Sequence, residues 1–281
     1  MMATASGRTT VTAVTAATER LARVLDSIGP VAVAVSGGVD SMTLAAFAHR
    51  RAPGAAEMVH AASPAVPAAA TARVRARARA EGWALSVVEA GEFADPAYLA
   101  NPHDRCFHCK TNLYRTIGAL TARTVVSGAN LDDLADYRPG LAAAARHGVR
   151  HPYVEANIDK ACVRALAAGL GLDEVADLPA APCLSSRVET GIAIDADMLG
   201  LIDAAERFVR RRVRPDTVRC RLRGSGVVIE LDEPALARLE GGAAASLAEA
   251  VAAMFARAGA RRAVRVAPYV RGSAFVGGAR P

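Results

Sequence analysis

Apolar and polar positions follow two successive rhythms along this chain. The run at residues 31–35 is short, apolar and rich in valine, as a buried strand requires, and residues 57–61, 83–88 and 124–127 suit further strands. Between them, residues 40–50, 68–81 and 107–120 carry helical spacing. Upstream, residues 18–27 place Leu21, Val24 and Leu25 on one helical face. Residues 160–168 predict a further helix, with Asp159 as N-cap and Gly169 and Gly171 closing it. Strands alternating with helices predict an α/β fold built on a doubly wound parallel sheet. Beyond about residue 195 the rhythm changes. A helix through Asp203 and Glu206 stops before Pro215, and strands at 217–222 and 227–231 flank the turn Gly224-Ser225-Gly226. An alanine-rich helix then leads to a last strand at 263–267. The expected organisation is a large domain over 1–194 and a smaller α+β domain over 195–281, with no repeat of solenoid period.

Composition narrows the function classes. With 52% hydrophobic residues among 281, the chain can bury a sizeable core, and the 4% aromatic share with abundant alanine suits closely packed helices. A formal charge of +6 and a pI near 9.4 favour an anionic partner: a nucleotide, a phosphorylated metabolite or RNA. A basic surface without such a role is the plain alternative. No apolar run reaches the roughly 18 residues of a membrane span, and residues 1–17 carry no secretory signal, so a cytoplasmic location and no membrane partner are expected. Five cysteines in a reducing compartment point to metal, cluster or catalytic roles rather than disulfides.

The segment Val31-Ala32-Val33-Ala34-Val35-Ser36-Gly37-Gly38-Val39-Asp40-Ser41 is the most informative. A buried strand runs into two glycines and straight into a helix. Glycines let backbone approach phosphate oxygens, and a helix N-terminus offers unpaired N–H groups and a favourable dipole. Ser36 and Ser41 add hydroxyl donors, and Asp40 beside a phosphate suits a bridging Mg²⁺. The alternative is an ordinary turn with Asp40 as helix cap. The string resembles the pyrophosphate loop of the PP-loop ATP pyrophosphatases and lacks the lysine of a Walker A loop. That resemblance implies ATP and Mg²⁺ as cofactors, with Ser36, Gly37, Gly38, Val39, Asp40 and Ser41 holding the nucleotide. It also implies cleavage between the α- and β-phosphates, AMP passing to the substrate.

Three further segments narrow the family. They are Asn101-Pro102-His103-Asp104-Arg105-Cys106-Phe107-His108-Cys109-Lys110, Gly128-Ala129-Asn130-Leu131-Asp132-Asp133-Leu134-Ala135-Asp136-Tyr137-Arg138-Pro139-Gly140, and Pro182-Cys183-Leu184-Ser185-Ser186-Arg187. With the glycine loop they resemble the LarE family of ATP-dependent sulfurtransferases, over most of the chain. The family thiolates a pyridinium biscarboxylate mononucleotide on the way to a nickel-pincer cofactor. The resemblance implies that Cys183 bears the sulfur. In one branch this cysteine surrenders its sulfur and becomes dehydroalanine, while in another three cysteines hold a [4Fe–4S] cluster that delivers an extra sulfide. Cys106, Cys109 and Cys183 are the matching ligands here. A zinc site completed by His103 or His108, or thiols with no ligand role, are the alternatives. Cys162 and Cys220 fall on a helix and a strand as packing residues. His49, His60, His147 and His151 show no ligand spacing.

Substrate-binding candidates are basic. Arg219 and Arg221 share one strand face and can grip phosphate, a role the resemblance also implies, with a solvated charged face as the alternative. Arg187 beside Cys183 favours a thiolate. Lys110 can neutralise phosphate, and Asp136 and Arg138 follow a strand end where open α/β sheets collect ligands. Arg73, Arg75, Arg77 and Arg79 are spread around their helix, as on a solvated surface. The expected partners are a pyridinium mononucleotide and further copies of the chain. A tRNA thiolation enzyme and a nucleotide-binding regulator remain as alternatives, with nucleic acid disfavoured by the lack of an RNA-binding module.

Overall fold

The computed structural model describes residues 5–135, 138–179 and 182–276, the first nine of them by backbone alone. The chain divides into two compact units. One comprises Met1–Ser63, Ala69–Glu92 and Cys106–Ala180, and the other Pro64–Ala68, Phe93–Arg105 and Ala181–Pro281.

The first unit holds a four-stranded sheet of β1 (Val31–Ala34), β2 (Ala56–Ala61), β3 (Leu85–Val88) and β4 (Thr124–Val126), in the order β3-β2-β1-β4. All pairings are parallel, with Val31 opposite both Ala56 and Thr124. Helices Val39–Arg51, Ala68–Glu81 and Arg105–Leu120 connect successive strands, as the alternating pattern predicts. Winding runs outward from β1 through β2 to β3, and the chain then returns to place β4 on the other side of β1. The reversal leaves a crevice at the carboxyl ends of β1 and β4, where open α/β sheets bind ligands.

Both sheet faces are covered. On one, the helix Val39–Arg51 is buried from Ser41 to Ala48, and Ala45, Ala46 and Ala48 are small enough for close packing against the strands and the helix Lys160–Gly169. Leu21, Val33, Met42, Met58, Ile158 and Leu166 fill this layer. Each such aliphatic side chain contributes about 1.5–3 kcal/mol when fully buried. Leu113, Tyr114, Ile117, Val125 and Val149 fill the opposite layer. The N-terminal helix is longer than its periodicity predicts, spanning Ala5–Ile28, because Val14 and Ala17 continue the stripe of Leu21 and Leu25 upstream.

The second unit carries β5 (Val218–Arg223), β6 (Gly226–Leu231) and β7 (Val264–Pro268). β5 and β6 form an antiparallel hairpin, and β7 lies parallel to β6. Gly226 adopts φ +129° and a Cβ there would meet the Ala263 carbonyl oxygen at 2.6 Å, so only glycine fits this close approach. The helix Ala196–Val213 is capped by Asp195, which accepts from Met198 N at 2.8 Å, and it packs on β5. Among the described residues no helix is long and apolar enough to cross a membrane.

Candidate active site

β1 delivers the chain to the crevice and the glycine loop turns it into the next helix. Gly37 has φ +84°, and a Cβ on it would stand 2.9 Å from the Ala70 carbonyl oxygen, so conformation and space both demand glycine. Ser41 Oγ closes the loop by accepting from Ser36 N at 3.0 Å, touching Ser36 Oγ at 3.0 Å and donating to Gly38 O at 3.3 Å. Gly38 is the N-cap, with no side-chain hydrogen bond to the helix start. Asp40 therefore does not cap this helix. The uncapped N-terminus of Val39–Arg51, preceded by an exposed Ser36, can receive an anion.

The loop is braced from behind. Arg73 Nη1 donates to Gly37 O at 2.6 Å. His60 lies against Val35 O at 2.8 Å through Nδ1 and Thr71 Oγ1 at 2.9 Å through Nε2. A carbonyl can only accept, so Nδ1 carries the proton and Nε2 takes the Thr71 hydroxyl. Burial holds the His60 pKa below its ordinary value, which keeps this neutral tautomer. In the arginine run, Arg75 and Arg79 are exposed as their spacing predicts, while Arg73 and Arg77 are half-buried.

Asp40 is the centre of the site's polar contacts. Lys160 Nζ lies 2.7 and 2.5 Å from its two carboxylate oxygens, and Asn130 Nδ2 donates to Oδ1 at 3.1 Å. Tyr153 donates its hydroxyl to the Asp40 carbonyl at 3.1 Å. Burial first, and then the Asp40 charge, push the Tyr153 pKa well above its ordinary value and keep it a donor. The loop after β4 comes very close. A Cβ on Gly128 would lie 2.8 Å from Ser41 N and 2.9 Å from Asp40 C. Asn130 is fixed through Asp133 Oδ2, which accepts from its N–H at 3.1 Å, and Arg138 pairs with Asp133 at 2.9 Å. Asp136 lies outside the described residues.

Lys160, Asn130, Tyr153 and Arg73 were not among the sequence candidates. Lys160 did leave a signal: a cation in the first turn of a helix opposes the helix dipole, an anomaly that a nearby anion removes. Asn130 follows Gly128-Ala129 after β4, where a ligand-side polar residue is expected.

Cys106, Cys109 and Lys110 share the helix Arg105–Leu120, and their spacing of three and four residues puts them on one face. Both thiols are half-buried, and Lys110 extends over Tyr114, its Nζ 5.9 Å from the ring centre. Cys183 belongs to the second unit, where it precedes the short helix Leu184–Arg187. Its carbonyl accepts from Ser186 N at 3.0 Å, Ser186 Oγ at 2.7 Å and Arg187 Nη1 at 3.1 Å. Arg187 is 2% exposed and paired with Glu206 at 2.9 Å, so its guanidinium fixes the backbone that presents Cys183. Arg221 is likewise buried against Glu230 at 3.0 Å and donates to Ser186 O at 2.9 Å. Arg219 donates to Val218 O and lies 5.7 Å from the Tyr269 ring centre. Burial and then repulsion from Arg187 push its pKa down to about 10. Among the described residues no three His, Cys, Asp or Glu side chains form a group able to hold a metal. Of the three cysteines expected as cluster ligands, Cys106 and Cys109 belong to the first unit and Cys183 to the second. Cys220 is fully buried and Cys162 packs against the first core, as their positions predict.

An uncharacterized protein of Synechocystis is 38% identical over 197 residues, a match covering 69% of this chain and 73% of that protein. The chain belongs to the family of that cyanobacterial protein. A protein of Lactiplantibacillus plantarum named pyridinium-3,5-bisthiocarboxylic acid mononucleotide synthase is 34% identical over 146 residues, 48% of this chain and 52% of its own. An uncharacterized protein of Methanocaldococcus jannaschii is 28% identical over 139 residues, 48% of this chain and 54% of its own. The match therefore spans about half the length of these last two relatives. No protein-family model matches the chain.

Proposed function

We propose that this protein is an ATP-dependent sulfurtransferase of the LarE type, which adenylates a carboxylate of pyridinium-3,5-biscarboxylic acid mononucleotide and converts it to a thiocarboxylate. The observation that carries the reading is the glycine loop at the β1–β4 crevice, with Asp40 held beside it by Lys160 and Asn130. The name of the 34% identical relative supports the substrate.

In this reading the loop N–H groups and the helix N-terminus hold the outer phosphates of ATP. Asp40 would hold Mg²⁺, which supplies positive charge across the phosphate oxygens. An oxygen of the substrate carboxylate attacks the α-phosphorus. The bond to the β-phosphate breaks and pyrophosphate departs with the electron pair. Lys160, released from Asp40, keeps its ammonium beside the leaving group. The Cys183 thiolate then attacks the acyl carbon, AMP leaves, and a thioester joins substrate to protein. Loss of the Cys183 Cα proton to a base breaks the Cβ–S bond, freeing the thiocarboxylate and leaving dehydroalanine. The placement of Cys106 and Cys109 on one helix face supports a second source of sulfur: with Cys183 they would hold a [4Fe–4S] cluster supplying an inorganic sulfide nucleophile, and Cys183 would remain intact.

The test is pyrophosphate release with the pyridinium substrate. Asp40→Ala should abolish magnesium-dependent release while leaving the thermal midpoint close to wild type. Unchanged release in the variant removes the role given to the glycine loop.

A further inference from the structure

The second unit buries several arginines, and one differs from the rest. Arg187 and Arg221 are each answered by a carboxylate, Glu206 and Glu230. Arg105 is only 1% exposed, yet no carboxylate among the described residues pairs with it. Its Nη1 donates to Asn101 Oδ1 at 2.8 Å, while Nε and Nη2 are buried with no hydrogen-bond partner. A buried guanidinium with two idle donors is costly, and native structures seldom leave such groups unanswered.

The surroundings hold this side chain in one orientation. Asn101 sits at φ +53° and is itself fully buried. Its Nδ2 donates to Glu189 O and Ile192 O, both at 2.9 Å, so its carbonyl oxygen is aimed at Arg105. With Nη1 fixed, the buried edge formed by Nε and Nη2 is the part of the guanidinium left without a partner. The Phe275 ring lies on the guanidinium face, its centre 4.4 Å from Cζ. Phe275 is 39% exposed, and the chain before it is anchored by Thr190 N donating to Ala274 O at 2.9 Å.

We infer that Arg105 is a carboxylate-binding residue, whose Nε–Nη2 edge takes the two oxygens of a planar aromatic acid as Phe275 swings aside. Two parallel N–H donors match a carboxylate's two oxygens, whereas a phosphate has further oxygens that this edge alone leaves unanswered. Resting on the function proposed above, the ligand is the substrate's pyridine ring with its carboxylates.

The probe is pyridine-3,5-dicarboxylate, titrated calorimetrically into the full chain without ATP, with inorganic phosphate as the second arm. Arg105→Lys keeps the charge and loses the two-pronged edge, so dicarboxylate affinity should fall about ten-fold or more. Phe275→Ala removes the ring that lies on the guanidinium and must swing aside, and should tighten binding about three-fold. Equal affinity in wild type and both variants overturns the site. Arg105-dependent binding of phosphate but not of the dicarboxylate overturns the carboxylate assignment. Pyrophosphate release separates this inference from the proposed activity. An unchanged KM for the pyridinium substrate in Arg105→Lys removes the site and leaves the activity, while Arg105-dependent binding without any release keeps the site and removes the activity.

Discussion

Gly128→Ala should damage the site through a single methyl group. The added Cβ would stand 2.8 Å from Ser41 N, 2.9 Å from Asp40 C and 3.0 Å from Asp40 Cβ. Relaxed contacts between carbon atoms lie near 3.5–4.0 Å, so the overlap is about 0.5–1 Å against three atoms at once. Two of the three are backbone at the start of a helix buried from Ser41 to Ala48, which cannot retreat. The loop after β4 must move instead. Overpacking of this kind costs about 1–3 kcal/mol, which lowers the thermal midpoint by roughly 2–12 °C for a domain of this size. Function should suffer more than stability. Asn130, two residues on, holds Asp40, and a displacement of about 1 Å in a positioning group can cost about 100-fold in rate. Gly118→Ala is the matched control: nothing lies within 4 Å of its would-be Cβ, and replacing a glycine in the last turn of the helix Arg105–Leu120 should stabilise by at most about 0.5–1 kcal/mol. Thermal unfolding and pyrophosphate release on both variants decide the matter. A Gly128→Ala protein that melts and turns over like wild type would refute the close approach of the two loops.

Lys160→Met should cost only about 1 kcal/mol in stability, because the ion pair with Asp40 is about a third exposed on the lysine side. It should nevertheless tighten nucleotide-free Mg²⁺ binding and slow pyrophosphate release by about 100-fold, and an unaltered Mg²⁺ titration contradicts that role. Burial lowers the pKa of His60 and His151 from 6.5, so the unfolded chain binds more protons than the folded one as pH falls through that value. Their stabilising share is complete above pH 6.5 and is lost below it, before the carboxylates titrate. Denaturant midpoints measured across this window should rise with pH and flatten above it, less steeply in His60→Gln; a midpoint falling with rising pH has the wrong sign.

Strands, helices and the glycine loop were legible because each is a local pattern. A valine-rich strand meeting Gly37-Gly38 announces a tight turn into a helix, and Asp159 announces the cap that accepts from Cys162 N at 2.8 Å. Lys160 reaches Asp40 across 120 positions, and no periodicity records such a contact. The same holds for Arg73 on Gly37 O and for segments 64–68 and 93–105, which join the second unit. Arg219 and Arg221 do share a strand face, as the two-residue period requires, but that period is silent about Glu230, which arrives on the neighbouring strand. Asp203 and Glu206 were visible only as helix residues. That Glu206 anchors Arg187, and so the backbone of Cys183, depends on tertiary packing.

The most direct test of the central claim is mass analysis of substrate and intact protein after incubation with ATP, Mg²⁺ and pyridinium-3,5-biscarboxylic acid mononucleotide. Wild type should exchange a carboxylate oxygen for sulfur only when ATP is present, forming AMP and pyrophosphate. Cys183→Ala should still form the adenylate but no thiocarboxylate. Loss of the elements of H₂S from the polypeptide marks Cys183 as the sulfur source, and an unchanged polypeptide mass with bound iron marks the cluster. Thiocarboxylate formed without ATP, or formed by Cys183→Ala at the wild-type rate, contradicts the account.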